Sequence, residues 1–195
     1  MKTLYIVLGR TCSGKTSVVN ELIKRGVGKN LVSFTTREPR ENEVNGVDYH
    51  FITNEVFKNT DVVASFSVNE HWHYGVSKDE LLKVKNDNLF FPVISLSYGL
   101  ELANSAQDLG INVVFIYFDI DKNIRYQRLL NRGDTIESIE KRFDIEDTEG
   151  IIDINNFKDF DSIIFSEKHS ENTRPLEVYA NILTEVINGY SEKNI

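Results

Sequence analysis

Apolar residues along the chain form continuous runs in some segments and helical spacing in others. Residues 3–8 are a continuous apolar run and predict a buried strand that ends at Gly9. Residues 15–25 follow with a helical pattern, whose apolar face is formed by Val18, Val19, Leu22 and Ile23. Residues 89–96 and 111–118 are further apolar runs typical of buried parallel strands, with a helical stretch between them. The pattern predicts an α/β fold with a parallel sheet core flanked by helices.

Two regions interrupt this core pattern. Residues 33–77 are short alternating segments separated by turn residues, which predict an inserted, mostly β lobe. Ser77 and Glu80 have the spacing of a capping box and predict the start of the next helix. Residues 121–150 are a highly charged pair of helices, broken at Gly133.

The chain closes on a strand over residues 161–165 and a helix over 174–187. We expect the tail, residues 188–195, to be frayed. With 195 residues, 41% of them hydrophobic, the chain can bury the core of one domain.

Composition and charge exclude several classes of function. Cys12 is the lone cysteine, which excludes an internal disulfide, and no Cys/His cluster has zinc-site spacing. The formal net charge of −8 argues against a broad nucleic-acid-binding face. Arg10 ends the first apolar run before it reaches signal-peptide length, and no run approaches the ~20 residues that span a bilayer. We therefore expect a soluble, cytoplasmic protein that binds neither nucleic acid nor membrane.

The segment GRTCSGKT, residues 9–16, satisfies the phosphate-binding pattern G-x-x-x-x-G-K-[ST] between a predicted strand and a predicted helix. Glycines at both ends let backbone N–H groups turn toward phosphate oxygens, and the helix N-terminus favours an anion. Lys15 is expected to reach the β and γ phosphates, and the Thr16 hydroxyl to hold Mg²⁺. The predicted ligands are ATP and Mg²⁺, with the ATP site formed by Gly9, Ser13, Gly14, Lys15 and Thr16.

A second anion site is predicted around Pro39. Arg37 and Arg40 lie three residues apart, so both guanidinium groups can converge on one dianionic phosphate. Tyr49 has a hydroxyl that can donate to the same phosphate.

This segment resembles the acceptor-binding segment of the guanylate kinase family, S-x-T-T-R-x-P-R-x-x-E-x-x-G-x-x-Y-x-F. The matching residues are Ser33, Thr35, Thr36, Arg37, Pro39, Arg40, Glu43, Gly46, Tyr49 and Phe51. The resemblance implies a P-loop NTPase-type core (residues 1–32, 78–125 and 151–190), an inserted NMP-binding lobe (about 33–77) and a helical lid (about 126–150). It also implies that Arg37, Arg40, Tyr49 and Tyr74 hold the monophosphate, that Glu43 belongs to the same site, and that Ser33 contacts the base.

The lid carries arginines that match the family pattern: Arg128, Arg132 and Arg142. Arginines on a closing lid can neutralise the transferred phosphoryl group and exclude water. Together with Lys15 they are the expected catalytic residues.

The resemblance fails where the family has acidic residues that bind guanine. Counting back from Tyr74 without gaps places Ser65 at one such position, and Ser95 and Ser97 stand where the family has two aspartates. Substitutes are available in the segment Asn69, Glu70, His71, Trp72 and His73, in which Trp72 either stacks on a base or packs between the lobes.

The sequence thus predicts an ATP-dependent nucleoside monophosphate kinase that acts on GMP or dGMP, as a monomer or homodimer. Two alternatives stay open. One is a kinase for a different (d)NMP or for ribose bisphosphate, and the other is a non-catalytic module that binds a partner protein.

Overall fold

The computed structural model describes residues 2–41, 43–68, 71–93, 95–148, 152–168 and 174–193. Nine strands lie in this part of the chain: β1 Thr3–Gly9, β2 Lys29–Asn30, β3 Phe34–Thr35, β4 His50–Phe51, β5 Val62–Val68, β6 Trp72–Ser77, β7 Leu89–Val93, β8 Asn112–Ile120 and β9 Asp161–Glu167. The α-helices are α1 Lys15–Lys24, α2 Asn54–Lys58, α3 Lys78–Leu82, α4 Leu96–Asp108, α5 Lys122–Arg132, α6 Ile136–Thr148 and α7 Leu176–Lys193. Short 3₁₀ helices span Lys83–Lys85 and Ile154–Phe157.

The predicted parallel core is confirmed. Five strands form one sheet in the order β2-β7-β1-β8-β9, and every neighbouring pair is parallel. Every residue of β1 is buried, because helices cover both faces of the sheet. On one face α4 packs through Leu102 and Ala103, and on the other α1 packs through Leu22 and α7 through Leu183. This arrangement brings the carboxyl end of β1, where the P-loop begins, to the edge at which α/β proteins bind ligands.

The inserted lobe is a separate four-stranded sheet with the order β4-β3-β6-β5. Strands β5 and β6 form an antiparallel hairpin in which Phe66 pairs with Tyr74. The five-residue helix α2 was not predicted, because a segment this short has no clear apolar period. Ser77 does cap the following helix, since its Oγ accepts a hydrogen bond from the Glu80 backbone N–H at 3.2 Å.

Two helices, α5 and α6, lie in the region predicted to be the lid, and the helical structure breaks between them at Gly133, as the sequence predicts. Gly133 has φ 93°, a left-handed conformation that suits glycine at the end of a helix. Leu129, Ile139 and Phe143 form a small core of their own between the two helices.

The predicted fraying of the C-terminal tail is wrong for residues 188–193, because α7 continues to Lys193. No helix in the described part of the chain is long and apolar enough to cross a membrane.

Candidate active site

The loop between β1 and α1 is shaped by left-handed residues and a tight packing contact. Cys12 has φ 60° and Gly14 has φ 100°, and the Ser13 N–H donates to the Arg10 carbonyl at 3.1 Å. A Cβ on Gly9 would lie 2.5 Å from Ser13 Oγ and 3.0 Å from the Phe118 carbonyl oxygen, so only glycine fits there. The loop therefore curls around the start of α1, as a phosphate cradle requires.

Polar side chains in and beside this loop are placed to bind an anion. Ser13 Oγ is buried and has no hydrogen-bond partner among the described residues. Lys15 is 8% exposed, and its Nζ donates to the Arg10 carbonyl at 3.2 Å. Burial lowers the pKa of Lys15 to about 8, although the carboxylate of Glu146 opposes this effect. Thr16 is exposed in the first turn of α1, where its hydroxyl is free to meet a ligand.

A cavity of about 530 Å³ opens on one side of the loop. It is lined by Cys12, Ser13, Gly14, Lys15, Thr16, Ser17, Val18, Arg128, Arg132, Arg174, Leu176 and Tyr179. We call it the donor cavity. Arg128 crosses its wall and donates to the carbonyl oxygens of Ser13 at 3.2 Å and Cys12 at 3.4 Å.

A second cavity, of about 390 Å³, lies between the loop and the inserted lobe and is called the acceptor cavity here. Its lining residues are Thr11, Cys12, Lys15, Thr16, Ser33, Arg37, Arg40, Tyr49, Phe66, Val68, Tyr74, Phe91, Pro92, Val93, Ser95, Tyr98, Arg132 and Arg142. The structure thus brings Ser33, Arg37, Arg40, Tyr49 and Tyr74 to one cavity. The two cavities share Cys12, Lys15, Thr16 and Arg132, so a group could pass from one to the other beside these side chains.

The Arg37 side chain is fixed by an ion pair with Glu43. The Arg37 Nη2 donates to Glu43 Oε1 at 2.9 Å, and the Arg37 carbon Cζ lies 5.4 Å from the centre of the Tyr49 ring. Burial disfavours the charge on Arg37, but hydrogen bonds to Glu43 and Tyr74 outweigh it and raise the pKa of the guanidinium. Glu43 Oε2 also accepts from the Arg40 backbone N–H at 2.8 Å. Glu43 does not line the acceptor cavity itself, and it acts there by holding the Arg37 guanidinium and the Arg40 backbone.

The lid arginines divide between the cavities. Arg128 lines the donor cavity, Arg142 lines the acceptor cavity, and Arg132 lines both. Asp134 accepts two hydrogen bonds from Arg132, at 2.6 Å and 2.8 Å, and lies 3.7 Å from Arg142. In this conformation Asp134 therefore pairs with two of the arginines that line the acceptor cavity and offsets part of their charge.

The placement of Ser65 needs correction. It is exposed and lies on the opposite face of β5 from Phe66 and Val68, which line the acceptor cavity. The hairpin pairs Phe66 with Tyr74, and Ser65, the adjacent residue of β5, therefore lies on the face away from the cavity. Ser97 is also exposed and outside the cavity, although its Oγ lies 2.9 Å from the Oγ of Ser95, which does line it.

The HWH segment contributes no lining residue to the acceptor cavity. Trp72 is 46% exposed, so the structure does not show it packed between lobes or aimed at a base site. His73 stacks on Phe57 with ring centres 5.4 Å apart, and its Nδ1 lies 2.8 Å from Ser67 Oγ, so it packs within the lobe. Asn69 and Glu70 lie outside the described residues.

Sequence reasoning missed the apolar wall of the acceptor cavity. Phe66, Val68, Phe91 and Tyr98 form it, and Phe66 stacks on Tyr98 with ring centres 6.1 Å apart. The alternation within β5 could have shown which residues face inward. No Asp or Glu lines this cavity within the described part of the chain.

A P-loop that opens a parallel sheet, beside a second cavity lined with arginines, defines the class of P-loop phosphotransferases. The sequence model of the family described as guanylate kinase matches residues 1–179. The chain belongs to the guanylate kinase family and is a transferase of the nucleoside monophosphate kinase class.

Individual relatives that the chain resembles are also guanylate kinases. The guanylate kinase of Alkalilimnicola ehrlichii is 29% identical over 174 residues, which are 85% of this chain and 81% of that protein. The guanylate kinase of Fusobacterium nucleatum is 33% identical over 146 residues, covering 71% of this chain and 76% of that protein. The crystal structure of guanylate kinase from Anaplasma phagocytophilum superposes with a TM-score of 0.64 at 18% identity, covering 97% of this chain and 85% of that one, which supports the fold.

Proposed function

We propose that the protein transfers the terminal phosphoryl group of ATP to the monophosphate of GMP or dGMP. The observation that carries the proposal is the wall that the donor and acceptor cavities share, which is formed by Cys12, Lys15, Thr16 and Arg132. In-line transfer needs two phosphates that meet end to end, and two cavities joined at a lysine and an arginine supply this arrangement.

The donor end of the proposal rests on the P-loop. Ser13 Oγ and the loop N–H groups would bind the phosphates, and Lys15 would neutralise their charge. The described residues contain no cluster of three His, Cys, Asp or Glu side chains that could hold a metal by themselves. An exposed Thr16 hydroxyl fits Mg²⁺ that arrives with ATP, since this ion keeps several waters and phosphate oxygens as ligands. When bound there, Mg²⁺ supplies further neutralisation of the phosphate charge.

At the acceptor end, Arg37 and Arg40 would bind the monophosphate, with the Tyr49 and Tyr74 hydroxyls as further donors. Ser33 would contact the base. Arg128, Arg132 and Arg142 would then stabilise the charge on the transferred group. Because Asp134 pairs with two of them in this conformation, binding of the substrates would exchange a carboxylate for phosphate oxygens.

The proposal divides the chain as the family resemblance implies, with a core at 1–32, 78–125 and 151–190, an NMP-binding lobe at 33–77 and a lid at 126–150. The two-sheet architecture supports the first boundary, because the lobe sheet begins at β3. Both cavities are built from one chain, which is compatible with a monomer or a homodimer. We place the enzyme in the cytoplasm, where ATP and nucleoside monophosphates are available.

A second acceptor class is favoured by the lining of the acceptor cavity. Guanine presents N–H donors that carboxylates can accept, and leaving such donors without partners costs ~1–3 kcal/mol each. The described lining residues include no carboxylate, so another (d)NMP or ribose bisphosphate is the alternative acceptor.

The test is steady-state ADP release from Mg·ATP against a panel of ribo- and deoxynucleoside monophosphates and ribose bisphosphate. Dominant turnover of GMP or dGMP is the expected result. Dominance of another acceptor would replace guanine as the substrate base. ATP binding without turnover on any acceptor would support a protein-binding module instead.

A further inference from the structure

Glu146, in the last turns of α6, joins the lid to the P-loop through both oxygens of its carboxylate. Its Oε1 accepts from the Thr11 backbone N–H at 2.7 Å, and its Oε2 accepts from Arg125 Nη1 at 2.7 Å. The Glu146 and Arg125 side chains are each only 7% exposed. Glu146 does not line either cavity, so it contacts no substrate.

Arg125 completes the same junction from α5. Its Nη1 also donates to the Thr11 carbonyl at 3.2 Å, and its Nε donates to the Ile120 carbonyl at 3.1 Å. The guanidinium carbon lies 4.9 Å from the centre of the Phe143 ring on α6. Both backbone polar groups of Thr11 are therefore bonded by the Arg125–Glu146 pair, one residue before the left-handed Cys12.

A buried ion pair is weak support for stability, because desolvation of the two charges offsets their attraction. Orientation of the loop is the better account of this pair, since the pair ties the P-loop, α5 and α6 together at one residue, Thr11. We propose that Glu146 is a positioning residue for phosphoryl transfer, which with Arg125 fixes the P-loop at Thr11 and thereby the placement of Lys15 on the donor phosphates. The assignment rests on the proposed function as a kinase.

The same geometry links Glu146 to the charge of Lys15. The charged and titratable groups around Lys15 are Glu146 on α6, Arg125 on α5, and Cys12 and Arg10 in the loop. Glu146 raises the pKa of Lys15 and Arg125 lowers it, while burial is the largest effect and lowers it to about 8. Neutralising Glu146 alone leaves Arg125 charged, so the pKa of Lys15 falls further.

The experiment compares Glu146→Gln with Asp147→Asn. Asp147 is a matched control, because it pairs with Lys122 at 2.9 Å across the same two helices but is exposed and does not touch the P-loop. Calorimetric titration with ATP gives the dissociation constant from pH 6.5 to 9. Glu146→Gln is expected to bind ATP about 10-fold more weakly at pH 8. As the pH is raised, its ATP affinity should begin to fall at a lower pH than that of the wild type, because Lys15 loses its proton earlier. Asp147→Asn is expected to follow the wild type.

A double variant, Arg125→Met with Glu146→Met, keeps apolar volume and leaves no buried charge unpaired. Its pH profile is expected to return toward that of the wild type, because both charges are gone, while kcat stays at least 10-fold lower because Thr11 has lost both partners. If Glu146→Gln does not fold, the double variant alone decides.

Two results would overturn the positioning role: ATP titrations of Glu146→Gln that match the wild type at every pH, or wild-type kcat in the double variant. These are distinct from failure of the proposed function. Wild-type protein that does not bind ATP would refute the kinase and this role with it, whereas ATP binding without turnover leaves the titrations to decide the role.

Discussion

Replacing Lys15 with methionine should abolish turnover and at the same time stabilise the fold. The pKa of Lys15 is lowered from 10.5 to about 8 by burial, and one pKa unit corresponds to about 1.4 kcal/mol. Keeping this lysine charged in the folded state therefore costs about 3 kcal/mol of unfolding free energy below pH 8. Methionine has similar length and no charge, but its introduction leaves the Arg10 carbonyl without the 3.2 Å hydrogen bond, a loss of about 1 kcal/mol. The expected net gain is about 2 kcal/mol at pH 7.

The pH dependence gives this prediction its sign. Between pH 8 and 10.5 the folded wild type loses the Lys15 proton before the unfolded chain does, so wild-type stability rises with pH relative to Lys15→Met. Urea unfolding at pH 7 and above pH 10, in buffers without phosphate or sulfate, measures the difference in unfolding free energy between Lys15→Met and the wild type. This difference should be smaller at the higher pH. Lys24→Met, an exposed change on the same helix, is the control and should alter stability by no more than ~0.5 kcal/mol. A Lys15→Met variant that is no more stable than the wild type at pH 7 would refute the reasoning, and full activity in it would refute the P-loop assignment.

Three further predictions address the acceptor cavity and the loop. Glu43→Gln should raise KM for the acceptor ~10-fold, because Arg37 loses its charged partner. In the same steady-state assay the control Glu41→Gln, a change at an exposed residue nearby, should leave KM unchanged. Equal KM values for the two variants would contradict the role given to Glu43. Phe66→Ala should raise KM for the acceptor at least 5-fold by removing apolar contact with the base, and Ser65→Ala should not, so the reverse order would contradict the register of β5. Alkylation of the Cys12 thiol, which lines both cavities, should stop turnover. ATP should slow the alkylation, which mass spectrometry of the modified peptide measures. Activity of the fully alkylated enzyme would contradict the placement of Cys12 in the cavities.

The core of the fold was predictable because local signals agree there. The apolar run of β1, the glycine that ends it and the amphipathic α1 each indicate the same strand–loop–helix unit, and the P-loop pattern requires that context. Gly133 marked the break between the lid helices for a similar local reason. By contrast, the Thr11–Glu146 contact joins residues 135 positions apart, and no local pattern could reveal it.

The acceptor cavity shows how far such local reasoning extends. Within a strand, alternation assigns each side chain to a face, and a shift of one residue in the register reverses that assignment. A count back from Tyr74 reaches Ser65, which pairs with Gly75, whereas the residues of β5 that line the cavity are Phe66 and Val68. The serine at position 65 therefore carries no information about the base.

What bears on the base is the apolar wall of the acceptor cavity, formed by Phe66, Val68, Phe91 and Tyr98, together with the hydroxyl groups beside it. Ser33, Ser95 and Tyr98 line the cavity beside Phe66 and its apolar neighbours. Burial raises the pKa of Tyr98, so its phenol stays protonated and can donate to a carbonyl oxygen. A hydroxyl can donate one hydrogen bond or accept from an N–H group, but it lacks the charge that makes a carboxylate a strong partner for two adjacent donors. If the enzyme prefers GMP, these hydroxyls must bind guanine by neutral hydrogen bonds, and discrimination against other bases should then be weaker than a carboxylate would give.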